Sequence, residues 1–191
     1  MSLTIVQAGM GGSGNPSLSF PSGTGTVAVQ GLSTNIVSGT AQASTSGTAI
    51  TFTGIPSYVK RITINIAGMQ TSSTAPPNIQ IGSGSFANTG YLGSNIGSYS
   101  GGTGSVLWTT GFGIGVNTSY WASKCIGHGS FVLTLLTGNT WVCNGGLGRS
   151  DTATNYSTFG SKALSGTLDR VQVTMDGSAT FTAGTINILY E

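Results

Sequence analysis

Hydrolysis or group transfer without a cofactor needs a base beside a nucleophile, or two carboxyl groups a few ångströms apart, so the titratable residues come first. The chain has one histidine, His128, within Gly127-His128-Gly129, and four acids: Asp151, Asp169, Asp176 and Glu191. His128 stands just before a strand-like run. It reads as a turn or strand-end residue, or as an interface contact whose charge changes near neutral pH. Asp176 belongs to the turn pair Asp176-Gly177, Asp169 forms a neighbouring charge pair with Arg170, Asp151 follows Arg149-Ser150, and Glu191 closes the sequence. None of these spacings pairs two acids. No catalytic residue is assigned, and the chain reads as a protein that is not an enzyme.

Cys125, His128 and Cys143 do not follow zinc-binding spacing, so no metal site is assigned. The run Gly111-Phe112-Gly113-Ile114-Gly115 lacks the Gly-Lys-Ser/Thr of a phosphate loop and reads instead as strand residues with close backbone approach; no cofactor is expected. Two cysteines are too few for a disulfide framework. They read as buried reduced thiols, with a bond between facing strands as the alternative. Six aromatic residues fall in or near polar, glycine-rich segments: Tyr91, Tyr99, Trp108, Tyr120, Trp121 and Tyr156. Their rings can stack on sugars or on another subunit, or pack in a core.

The elements that position these residues follow from composition. Charged residues make up 5% of the chain, against about 25% in ordinary soluble domains, and Gly supplies 32 of 191 residues without a collagen period. The polar residues are Ser, Thr, Asn and Gly, which favour strands and turns over helices. A net charge of +2 from scattered residues gives no electrostatic footprint for nucleic acid. Low charge also gives little colloidal repulsion, which suits a protein that works inside an assembly. Met1 to Ala8 lacks the basic start of a signal peptide, and no apolar run approaches the ~18 residues of a membrane span; assembly in a cytoplasm without membrane insertion is expected.

Residues 1–40 hold short apolar pieces broken by Gly and Pro and read as an arm or attachment segment, ahead of a domain over 41–191. In 59–67, Ile62, Ile64 and Ile66 alternate with Arg61, Thr63 and Asn65, the mark of a half-buried strand. Ser130 to Leu136 and Thr140 to Asn144 flank Gly138-Asn139 as a hairpin. Leu168 to Met175 is a further strand, and 179–190 form a final strand pair. Ile79 to Ile81 and Gly111 to Val116 are further short strands, and 83–105 reads as a long loop. Short strands between turn clusters, without crossover helices, indicate an all-β fold: an antiparallel β-sandwich, jelly-roll-like, with an extended N-terminal arm.

The segment Gly54-Ile55-Pro56-Ser57-Tyr58-Val59-Lys60-Arg61-Ile62-Thr63 resembles a domain of phage and prophage tail-fibre and related virion proteins. Ile79-Gln80-Ile81-Gly82 with Thr89-Gly90-Tyr91, Leu147-Gly148-Arg149-Ser150-Asp151, and the pieces from Leu168-Asp169-Arg170-Val171 to Ala183 through Glu191 are similar to that group, in the same order, over 41–191. The resemblance implies a phage virion structural protein, a tail-fibre or receptor-binding module contacting host surface polysaccharide. It implies a homo-oligomer, a trimer above all, among other virion proteins, and it carries over no enzymatic residue. Lys60, Arg61, Arg149, Asp151, Asp169 and Arg170 fall in the matching pieces and read as ion-pair or interface positions. A capsid cement or decoration protein and a glycan-degrading tailspike-type enzyme are the alternatives.

Overall fold

The computed structural model describes residues 36–116 and 121–191, and every regular element among them is a strand. The strands are β1 (Val37–Ser38), β2 (Gln42–Ala43), β3 (Ala49–Thr53), β4 (Arg61–Thr71), β5 (Asn78–Ser83), β6 (Ser85–Phe86) and β7 (Leu92–Tyr99). They continue with β8 (Gly102–Trp108), β9 (Phe112–Gly113), β10 (Gly127–Thr137), β11 (Thr140–Arg149), β12 (Asn155–Ala163), β13 (Arg170–Thr174) and β14 (Phe181–Tyr190). All pairings are antiparallel. One sheet of nine strands runs β1-β14-β4-β10-β11-β12-β7-β8 with β2 also on β14; a second of five runs β3-β13-β5-β6 with β9 also on β5.

The alternation read in β4 orients it: Ile62, Ile64 and Ile66 are buried, while Arg61 and Asn65 face out. β10 aligns Phe131 with Ile64 and Leu133 with Ile62, and β14 brings Ile186 and Ile188 alongside Ile66 and Ile64. From the smaller sheet, Ile50, Phe52, Ile79, Ile81, Val171 and Val173 join the same buried cluster. The two sheets therefore share one core, as a β-sandwich requires.

The hairpin at Gly138-Asn139 joins β10 to β11, and Gly138 takes the left-handed φ of 54° that this turn needs. Two local expectations are corrected. Residues 179–190 do not form a strand pair: Phe181–Tyr190 is a single strand whose register slips on either side of Ala183, where Gly184 at φ 104° lies against the backbone of Gly68. The Asp176-Gly177 turn instead carries the chain from β13 in one sheet to β14 in the other.

The stretch 83–105 is also no loop, since it holds β6, β7 and most of β8. In β7 the usual pattern is inverted. Gly93, Asn95 and Gly97 point inward, while Leu92 and Ile96 face out. The inward positions are small because aromatic rings from neighbouring strands occupy the space: a Cβ on Gly97 would press on the Tyr156 ring. β1 and β2 lie on β14. Residues 1–35 of the segment read as an arm, and Tyr120, lie outside the described residues.

Candidate functional site

The acids are held by different partners. Asp151 pairs with Arg149 and accepts the Ile126 N–H at 3.0 Å; Asp169 pairs with Arg170 at 2.8 Å; Glu191 pairs with Arg61; Asp176 accepts from Asn78 Nδ2 at 3.0 Å. The Arg149 guanidinium holds the Asp151 carboxyl below the usual range, and Arg170 does the same for Asp169. Arg61, Arg149, Asp151, Asp169 and Arg170 are thus ion-paired. Lys60 and Arg61 both donate backbone N–H groups to the Glu191 carbonyl, and Ile55 N–H donates to Asp169 O, so three separated pieces are tied together. Among the described residues no cluster of His, Cys, Asp and Glu could hold a metal ion.

His128 lies 3.2 Å from the Ser150 hydroxyl through Nε2, a spacing that invites a nucleophile–base reading. The other ring nitrogen decides its polarity. Gly68 N–H donates to Nδ1 at 3.2 Å, so Nδ1 carries the lone pair, Nε2 carries the proton, and Ser150 Oγ accepts. A base acting on Ser150 would need the opposite arrangement, and the neighbouring carboxylate of Asp151 is turned to Arg149.

The cysteines are both free and both buried, Cys143 on β11 and Cys125 in the segment leading to β10. Burial pushes the Cys125 thiol up to about 11 and that of Cys143 to about 12. The thiolate is the reactive form. A thiol reagent such as 5,5′-dithiobis(2-nitrobenzoate) at pH 7.5 should therefore leave both unreacted in the native protein for hours and titrate two thiols at once in denaturant. Fast labelling of either without denaturant would show that it is not sealed in the core.

The six aromatic candidates separate by burial. Tyr91, Trp121 and Tyr156 are each 1% exposed and do not present a ring at the surface. Tyr91 OH accepts from Ile81 N at 2.9 Å and donates to Ala87 O at 3.0 Å, and its ring meets Phe112 edge-on at 4.9 Å. Burial pushes its hydroxyl up to about 12. Trp121 donates to Thr71 Oγ1 at 2.8 Å and packs on Tyr156 at 5.6 Å. Large rings in this chain compensate for its small residues, which is why they lie inside. Tyr99 and Trp108 are half-buried at the two ends of the β7–β8 pair.

What the surface does present lies at the β8 end of the larger sheet. Leu107 stands opposite Ser94, and Ser94 opposite Phe159, on three adjacent strands; Leu92 follows on β7. Leu107 and Leu92 are 80% and 77% exposed, and Phe159 is 54% exposed. With Trp108 and Thr109 they border an open groove of about 450 Å³, floored by Ser94, Gly93 and Gly160. The sequence reading missed Leu92, Leu107 and Phe159, because 83–105 read as a loop and the face on which a large apolar residue lies is undefined until the strand and its opposite face are known. No family model, curated protein or solved structure matches the chain.

Proposed function

We propose that this chain is a non-catalytic structural module of a bacteriophage particle, a homo-oligomer that works by surface contact, as a tail-fibre or receptor-binding element touching host surface polysaccharide. The observation that carries the reading is the groove at the β7–β8–β12 end, where an exposed aromatic ring, aliphatic rims and the Ser94 and Thr109 hydroxyls stand together without a charge. Apolar faces flanked by hydroxyls suit a sugar, which offers both C–H faces and hydroxyls to bind. The two antiparallel sheets, with a chain that crosses repeatedly between them, are in keeping with the jelly-roll-like sandwich read from the sequence. The proton position on His128 and the separate engagement of each acid lend a tailspike-type hydrolase no support.

Quantitative mass spectrometry of purified particles, scaled to the major capsid protein, tests the reading. Copies in the tens or fewer are expected, together with binding of the protein to host lipopolysaccharide that Phe159→Ala abolishes. Copy numbers close to those of the capsid protein would replace the fibre by a head cement or decoration protein, and absence from particles would sink the virion reading itself.

A further inference from the structure

Sheet edges exposed to solvent are ordinarily blunted by a charge, a proline or a bulge, because their free N–H and C=O groups will pair with any strand that arrives. β8 has none of these. Its seven residues contain neither charge nor proline, and its pairing with β7 runs from Gly93↔Trp108 to Tyr99↔Gly102 without a slip. No Asp, Glu, Lys or Arg occurs anywhere between Arg61 and Lys124. Among the described residues no backbone hydrogen bond leaves β8 for any segment other than β7. The opposite edge of the same sheet is different, being broken into β1 and β2, two residues each.

We propose that β8 pairs antiparallel with β8 of a second copy, about a two-fold axis through Ser105, so that two nine-stranded sheets become one. The proposal rests on the reading of the chain as an oligomeric structural module, names its partner, and puts a two-fold pair in place of the trimer that the sequence resemblance implies. The register that uses all seven residues places Ser105 against Ser105, and it makes the strand complementary to itself. Inward-facing Trp108 and Val106 then stand opposite Gly102 and Gly104 of the second copy, large against small, while outward-facing Leu107 stands against Thr103. An isologous contact sets Ser105 against its own counterpart and every other residue against its symmetry mate across the axis, which like charges near the axis would oppose and this uncharged edge permits. The contact leaves no open β8 edge, which accounts for an edge without protection. β1 and β2 are too short to provide such a ladder, and β3 at the edge of the smaller sheet has five residues against seven, so the self-complementary second β8 is the matching strand.

Sedimentation velocity of the full chain at micromolar concentrations should give a species of twice 19.2 kDa. Ser105→Lys places two ammonium groups across the axis and should shift the protein to monomer with an unchanged circular dichroism spectrum and a melting temperature that no longer rises with protein concentration; Leu107→Lys, which puts a charge on the paired edge, should act in the same direction. Ser105→Cys should cross-link two copies through a short bismaleimide, because residues directly opposed in an antiparallel pair have Cβ atoms about 4.5–5.5 Å apart, a little beyond the ~3.5–4.5 Å of a direct disulfide. A monomeric wild type, an oligomer that both lysine variants leave intact, a trimer, or a Ser105→Cys dimer that does not cross-link overturns the two-fold β8 contact. These results do not touch the virion reading, whose failure is read separately from particle composition.

Discussion

Asn95→Asp should destabilise the protein by about 4 kcal/mol at pH 7 and by much less at pH 4. Asn95 is 1% exposed on β7, and its Nδ2 donates to Gly113 O at 3.1 Å and to Thr158 Oγ1 at 2.6 Å. Thr158 Oγ1 donates in turn to Gly113 O at 2.5 Å. The three groups link the larger sheet to β9 of the smaller one. A carboxylate in that place has no donor for the Gly113 carbonyl and takes a charge into the core, which raises the titration of a buried acid by about 3–5 units. The folded-state value then lies above the unfolded one near 3.9, so the variant is least impaired below that pH. It loses about 1.4 kcal/mol per unit as pH rises towards the raised value. Against a total of about 5–15 kcal/mol, that loss is close to unfolding. Urea denaturation of both proteins at pH 4 and pH 7 measures it; a deficit that does not change with pH would mean that the charge escapes the core.

Phe131→Ala should cost about 3–5 kcal/mol, the range for deleting a fully buried aromatic side chain. Phe131 is 0% exposed on β10, at the middle of the larger sheet, with Ile64 beside it on β4 and Gly145 beside it on β11. Gly145 leaves room for the ring. A Cβ there would stand 2.8 Å from Phe131 Cδ1 and 2.5 Å from both Phe131 Cα and Ser130 O. Gly145→Ala should therefore cost at least the ~1–3 kcal/mol typical of overpacking, since two of those atoms are backbone in a paired strand and cannot withdraw. In the double variant the penalty of Gly145→Ala should shrink only in part, because the ring is removed and Ser130 O is not. Denaturant midpoints of the four proteins give the cycle, and full additivity would show that the ring and the glycine do not meet.

Local pattern determined most of the central strands. Alternating isoleucines define β4, the Gly138-Asn139 turn defines the β10–β11 hairpin, and the scarcity of charge in favour of Ser, Thr and Asn leaves strands as the only regular structure. These features rest on neighbours within a few residues, which is why they can be read along the chain. The scattered acids and the unsuitable cysteine–histidine spacing were likewise legible as sequence, although the orientation of His128 towards Ser150 required Gly68, a residue 60 positions away.

Tertiary structure alone decided what β7, β8 and β12 do. In β7 the inward positions are Gly93, Asn95 and Gly97; the space beside Gly97 is taken by the Tyr156 ring and the Val116 side chain, and that beside Gly93 by Trp108 and the Gly111 carbonyl. Without an alternating apolar set, 83–105 reads as a loop, and the same inversion leaves Leu92, Leu107 and Phe159 at the surface instead of in the core. Whether a large residue in such a strand is buried depends on which rings arrive from elsewhere, and whether β8 is an edge depends on the order of strands in the sheet. Both are long-range properties, set by chain crossings between two sheets, and no window of local sequence contains them.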